Sequence, residues 1–292
     1  MSSADPLAGL PFVKMTGSGN DFVFFDARTV PLALVTTPEA IRRICHRQNG
    51  IGADGVVVLE PLGGGSDVRV HYFNSDGSAA DLCGNATLCS TALSTALGMT
   101  SPSGMVLETG AGAIVSRIAS TDMGGGRPAI DLQAVTDIRA SMPIELAPNE
   151  QRVGFAVAGI PHLVLLTPDV DQVDVAARGP GLRWHPSTGA AGANVNWVSP
   201  LPGGRWRYRT FERGVEGETL ACGTGAVATA VLLARWGLAA LPDVVLKTRS
   251  GLDLRVTLAD AGGEGAGYRP TLSGEGREVF RGTIGSLGPV SG

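Results

Sequence analysis

One short phrase occurs twice in this chain, and its repetition limits the fold more than any other feature. "DLCGNATLC" at 81–89 and "LACGTGA" at 220–226 each set a cysteine before a glycine and a small polar residue. Cys83 and Cys222 stand 139 residues apart (222 − 83), close to half of the 292-residue chain. Their surroundings repeat too. In the first half, "DFVFFD" reads as a strand and "TPEAIRRICHRQNG" as a helix capped by Thr37 and stopped by Gly50. The strands "GVVVLEP" and "VRVHYFN" lead to the Cys83 phrase, and a helix follows to about Leu97. The second half runs "GFAVAG", "HLVLLT", a short helix in "DVDQVDVAARG", "NVNWVS", "RWRYRTFER", the Cys222 phrase and the helix "GAVATAVLLARWG". An internal duplication is the simplest account, with a period far too long for a solenoid.

The expected fold class is therefore α+β: two pseudo-symmetric α/β domains, each presenting one cysteine loop. The first spans 1–134 and the second 135–274, with a last strand at about 275–292 returning to the first. Hydrophobic residues make up 43% and charged residues 17%, which supplies core for both. A net charge of −4 without a basic block argues against nucleic acid. The longest apolar runs are strand-sized, so no membrane span is expected. The opening residues lack a basic, then apolar leader pattern, and the expectation is a cytoplasmic protein.

Four cysteines without a CxxC pair, and four scattered histidines, give no metal-binding pattern. Lys14 and Lys247 are the sole lysines. Lys247 lies in the strand-like "DVVLKT" with no phosphate-cradling loop nearby, so no pyridoxal cofactor is expected, nor any other. Cys45 and Cys89 read as core residues.

Cys83 and Cys222 differ because each lies where a strand gives way to a helix. The first amides of a helix lack internal partners and carry partial positive charge. A thiol there is expected to titrate below its usual ~8.5. The glycines allow close approach of a ligand, and the amides form an anion site. Two such loops facing one carboxylate suit inversion at the adjacent carbon: one thiolate removes the α-proton and the other thiol delivers one to the opposite face.

Four longer motifs carry a family resemblance: "GNDF" at 19–22, "FNSDGSAADLCGN" at 73–85, "NVNWV" at 194–198 and "FERGVEGETLACGTG" at 211–225. Together they resemble diaminopimelate epimerase, from "FVKMTGSGNDFV" at 12–23 to "FRGTI" near the end. The resemblance implies cofactor-independent epimerisation of LL- to meso-diaminopimelate, in lysine and peptidoglycan precursor synthesis, at a cleft between the two domains. It implies Cys83 and Cys222 as the acid/base pair, with Gly84, Asn85, Gly223 and Thr224 on the carboxylate at the reacting centre. Asn20, Asn74, Asn194, Glu212 and Arg213 would line the site, Arg213 gripping the distal carboxylate as a two-pronged donor. It also implies a homodimer.

The chain departs from the family pattern at three places. Ala86 and Leu88 stand where the family commonly has glycine and arginine. Ile160, in "GIPH", stands where it usually has asparagine. These leave open a related amino-acid racemase or epimerase with another substrate. "VEGE" at 215–218 reads as one residue longer than the usual loop, and His162 as a structural or supporting residue.

Overall fold

The computed structural model describes residues 5–63, 67–120, 126–262 and 267–289; residues 1–4 and 290–292, within the expected domain limits, lie outside these. The chain divides into two compact units, one up to Ile130 together with the residues from Gly274 on, the other Asp131–Ser273.

The first unit opens with β1 (Pro11–Gly17), β2 (Asn20–Asp26), α1 (Leu32–Val35), α2 (Pro38–Cys45), β3 (Gly55–Pro61) and β4 (Asp67–Asn74). Then come α3 (Gly84–Ala96), β5 (Met105–Thr109), β6 (Gly112–Ser120) and β7 (Gly126–Asp131); the last strand of the chain, β17 (Arg277–Thr283), pairs with β1. The sheet order is β17-β1-β2-β3-β4-β5-β6-β7. It is parallel at β2/β3 and β4/β5 and antiparallel elsewhere. The two parallel steps are those bridged by helices, because a crossover is needed to return the chain in the same direction.

The second unit holds β8 (Ile138–Arg139), β9 (Arg152–Ala158), β10 (Ile160–Leu166), α4 (Val175–Arg183), β11 (Asn194–Leu201) and β12 (Arg205–Glu212). It continues with β13 (Gly217–Thr219), α5 (Gly223–Arg235), β14 (Asp243–Lys247), β15 (Asp253–Asp260) and β16 (Tyr268–Ser273). Its order is β8-β9-β10-β11-β12-β14-β15-β16, parallel at β10/β11 and β12/β14 alone, with β13 paired to β12. Step for step this repeats the first unit. The duplication glimpsed in two cysteine phrases is a duplication of an eight-strand topology.

Side-chain alternation covers both sheet faces. On β2, Phe22 and Phe24 turn to the core that holds Ala86, Cys89 and Leu93 of α3, while Val23 and Phe25 pack with Ile41 and Ile44 of α2. On β10 and β11, Leu163, Leu165, Val195 and Trp197 pack with Val175 and Leu182 of α4. Helices α3 and α5 are buried around nearly their whole circumference, which is why neither has a polar stripe. Ser90, Thr91 and Thr229 are buried within them and return their hydroxyls to carbonyls four residues back. Helix α2 is capped by Thr37 as expected, yet ends at Cys45 rather than near Gly50. The reason is local: the amides of Ile51 and Gly52 fold back onto the Ile44 carbonyl and that of Ala53 onto the Cys45 carbonyl, taking acceptors that a longer helix would need.

Among the described residues no helix is long and apolar enough to cross a membrane.

Candidate active site

Cys83 and Cys222 are the N-cap residues of α3 and α5, with matching backbone angles (φ −132°, ψ 116° and φ −128°, ψ 113°). Each precedes a 13-residue helix, so the amides of Gly84 and Asn85, and of Gly223 and Thr224, lie in the first turn, the part of a helix that attracts anions. Cys83 is half-buried and Cys222 buried.

Around Cys83 the first unit arranges a chain of amides and carboxylates. Asn85 is buried and donates through Nδ2 to Asn20 Oδ1 at 2.7 Å. Asn20 donates through its own Nδ2 to Asp54 Oδ2 at 3.0 Å. Asp54 accepts from Arg47 at 2.6 Å, and Arg47 also reaches Asp21 at 2.9 Å. Lys14, buried, donates to the Gly52 carbonyl and pairs with Asp21 at 2.7 Å. Burial pushes the Asp21 carboxyl up, but the hydrogen bonds from Arg47 and Lys14 outweigh it and hold the group below its usual range. Asn74, at the end of β4, is fixed on both sides. Tyr72 donates to its Oδ1 at 3.1 Å, and its Nδ2 donates to Ser78 Oγ at 3.0 Å. Ser78 donates in turn to Asp76 at 2.6 Å, a bond that holds the Asp76 carboxyl low. The turn "GSGN" lies close under this loop: a Cβ on Gly17 would stand 2.9 Å from both the Asn85 carbonyl oxygen and Cys89 Sγ, so only glycine fits. Cys89 is fully buried, and burial raises both it and Cys45, Cys45 to about 12.

Around Cys222 the second unit is tighter. Its sulfur accepts from the Gly225 amide at 3.4 Å, lies 3.5 Å from Thr224 Oγ1, and receives Asn194 Nδ2 at 3.8 Å. Tyr208 clamps the Cys222 backbone, donating to its carbonyl at 2.7 Å and accepting from its amide at 3.0 Å. Asn194 Oδ1 accepts from the Arg213 amide at 2.8 Å, and since that amide can only donate, Asn194 must turn its Nδ2 toward the sulfur. Glu212 accepts from Thr219 Oγ1 and lies close enough to act on the thiol.

The thiol expectation fails at Cys222. Burial and the negative charge of Glu212 push it well above its ordinary value, against weaker lowering by Thr224 and the Gly225 amide. A helix terminus lowers a thiol when water still reaches it; here desolvation and a carboxylate win. In the unliganded protein Cys222 keeps its proton.

His162 lies on the inner face of β10, fully buried, opposite Asn194 in register. Asn196 Nδ2 faces both the Leu163 carbonyl at 2.9 Å and His162 Nδ1 at 3.2 Å. A carbonyl only accepts, so Nδ1 is an acceptor and the ring carries its proton on Nε2, which is buried without a hydrogen-bond partner. Burial, with the Arg213 charge, pushes His162 from 6.5 down to about 3. The longer "VEGE" loop becomes the β12–β13 turn. In it Glu216 has φ 53° and accepts from Gly214 at 3.1 Å and from buried Arg183 at 3.3 Å.

In the first unit the structure gathers Asn20 and Asn85 beside Cys83, with Asn74 fixed at the end of β4. In the second it gathers Asn194, Glu212 and Thr224 on Cys222, with Arg213 joined through its amide. The residues sequence reading passed over are those behind these: Lys14, Asp21, Arg47 and Asp54 in one unit, Asn196 and Tyr208 in the other. Three carried a signal. "NVNWV" puts Asn194 and Asn196 on one strand face, Lys14 is one of two lysines, and both Lys14 and Asp21 lie inside a quoted motif.

A family model described as "Diaminopimelate epimerase" matches residues 12–126 and 155–268. Over 283 residues the chain is 66% identical to a diaminopimelate epimerase of Gemmatimonas aurantiaca, covering 95% of this chain and all of the relative. It is 34% identical to one of Aquifex aeolicus, covering 86% and 91%. Among solved structures it is similar to a Bacillus anthracis phenazine biosynthesis protein of the PhzF family (TM-score 0.69, 15% identity, 93% and 97% covered). It is also similar to a probable proline racemase from Agrobacterium radiobacter (TM-score 0.64, 17% identity, 97% and 93% covered). At such identities these two speak for the fold alone.

Proposed function

The chain belongs to the diaminopimelate epimerase family, and from that premise we propose that it interconverts LL- and meso-diaminopimelate with Cys83 and Cys222 as the acid/base pair and no cofactor. The observation that carries the chemistry is that these two thiols occupy equivalent places in a duplicated topology, each capping a buried helix. The reading requires both loops to face one substrate. The carboxylate at the reacting carbon rests on the first amides of α3 and α5 (Gly84, Asn85, Gly223, Thr224), whose partial positive charge stabilises the carbanion as charge moves onto its oxygens. Cys222, which retains its proton, serves as donor for the epimer whose α-hydrogen faces Cys83. After turnover the roles are exchanged, and the other epimer binds that form. Asn194 Nδ2, aimed at the Cys222 sulfur, steadies the thiolate when it forms. Arg213 pairs with the distal carboxylate, and Asn74 and Glu212 serve the substrate's remaining polar groups.

The reaction belongs to lysine and peptidoglycan precursor synthesis, and we propose that the protein works in the cytoplasm as a homodimer, without nucleic acid or membrane partners; light scattering tests the dimer. The activity is tested in deuterated water with no added cofactor. LL-diaminopimelate should acquire deuterium at the α-carbon while monocarboxylic amino acids do not. A folded protein that labels only monocarboxylic amino acids would instead support the racemase reading that Ile160 and Leu88 left open.

A further inference from the structure

Asn85 meets Asn20 amide to amide, and either could have donated. The choice is made two residues further back. Asp54 is held by Arg47 and, as a carboxylate, can only accept. Asn20 must therefore show Asp54 its Nδ2, at 3.0 Å, and turn its Oδ1 the other way. Asn85 must meet that oxygen with Nδ2, at 2.7 Å. The consequence lands on the residue two positions after Cys83. Asn85 Oδ1 is buried and has no hydrogen-bond partner, an arrangement that costs stability unless something else donates to it. Asp54 is tied down on its other side as well. Its amide donates to the Asp21 carbonyl at 2.9 Å, and its carbonyl accepts from the Ser75 amide at 3.1 Å, next to Asn74.

We propose that Asp54 is a positioning residue that fixes the polarity of the Asn20–Asn85 relay, so that Asn85 offers an acceptor, Oδ1, to the α-ammonium of the substrate at the reacting carbon. The proposal rests on the functional reading above and divides one residue's work in two. The Asn85 main-chain amide serves the carboxylate, and its side chain reads the ammonium. Asp54 itself touches no substrate; it acts by leaving two neutral amides a single orientation.

Asp54→Ala tests this, because it removes the group that sets the relay. The Asp21 amide also donates to Asp54 Oδ2, at 3.3 Å, so an asparagine here would keep an oxygen toward Asn20, whereas alanine offers none. Asn20 and Asn85 can then take either orientation, and Asn85 no longer presents a fixed acceptor. The Arg47–Asp54 pair is largely exposed, with side chains 56% and 38% accessible, so its loss should leave the fold intact. Inhibition constants are measured for diaminopimelate, as a competing substrate, and for 2-aminopimelate, which lacks one ammonium. In the wild type, losing that ammonium should weaken binding about 10- to 100-fold, as for a lost hydrogen bond to a charged group. In Asp54→Ala the two ligands should bind within about threefold of each other, through weaker diaminopimelate binding. A merely structural Asp54 would weaken both alike and keep the ratio, which would overturn the proposal. Neutron diffraction of both unliganded proteins gives a second reading. The deuterons on Asn85 should lie toward Asn20 in the wild type and be divided between the two orientations in the variant; unchanged positions would also overturn it. A wild type that labels no diaminopimelate would defeat the functional reading, while the deuteron positions would still judge the relay.

Discussion

Burial and the charge of Glu212 together make Cys222 hold its proton, and that sets a reactivity which can be measured. Burial raises the thiol first and the carboxylate's charge second. Glu212→Gln removes the second cause, so the pH midpoint for alkylation of Cys222, read in a Cys83→Ala background, should move down. An unmoved midpoint would mean that burial alone sets it. His162 gives a stability counterpart. Its folded value of about 3 lies below the unfolded value near 6.5, so the neutral ring contributes stability above pH 6.5 that is lost as pH falls toward 3. Between pH 7 and 5, urea unfolding should lose up to about 1.4 kcal/mol per pH unit from this group, and His162→Gln should flatten that slope. Residue types at this scale were legible in the sequence, but their orientations were not. "GSGND" shows an asparagine; that it faces Asp54, 34 residues on, depends on a parallel pairing of β2 with β3 that no local pattern reveals. The thiol expectation failed for the same reason, since helix position is local and desolvation is not.

The two cysteine helices are alike in backbone and unlike in tolerance at their third residue. In α5 that residue is Gly225, whose amide donates to the Cys222 sulfur and whose Cβ would fall well inside contact distance of Asn196 Oδ1. In α3 it is Ala86, whose Cβ is accommodated in the buried core with Cys89 and Leu93. Gly225→Ala should therefore cost about 1–3 kcal/mol, as overpacking of a close-fitted site does. Ala86→Gly should cost about 0.5–1 kcal/mol, the usual helix-interior price of glycine. Equilibrium denaturation of the two variants checks both, and equal costs would contradict the asymmetry. At this scale the sequence was most legible. Thr37 as cap and the helix starts after both cysteines follow from capping. The early end of α2 did not, because it depends on which carbonyls the following loop takes up.

Across the whole molecule the duplication is the organising fact. Two sheets repeat the same order of parallel and antiparallel steps, and each sets one cysteine at the start of its most buried helix. The repeat was readable because each half had to keep its own core pattern, even where the polar residues diverged. Asn85 answers Thr224 and Ala86 answers Gly225, yet the strand rhythm stays. What such a pairing is for is settled by removing one partner at a time. Epimerisation of LL-diaminopimelate should be abolished in Cys83→Ala and in Cys222→Ala, each folded as judged by its unfolding transition. Full turnover by both single variants would contradict the two-thiol account.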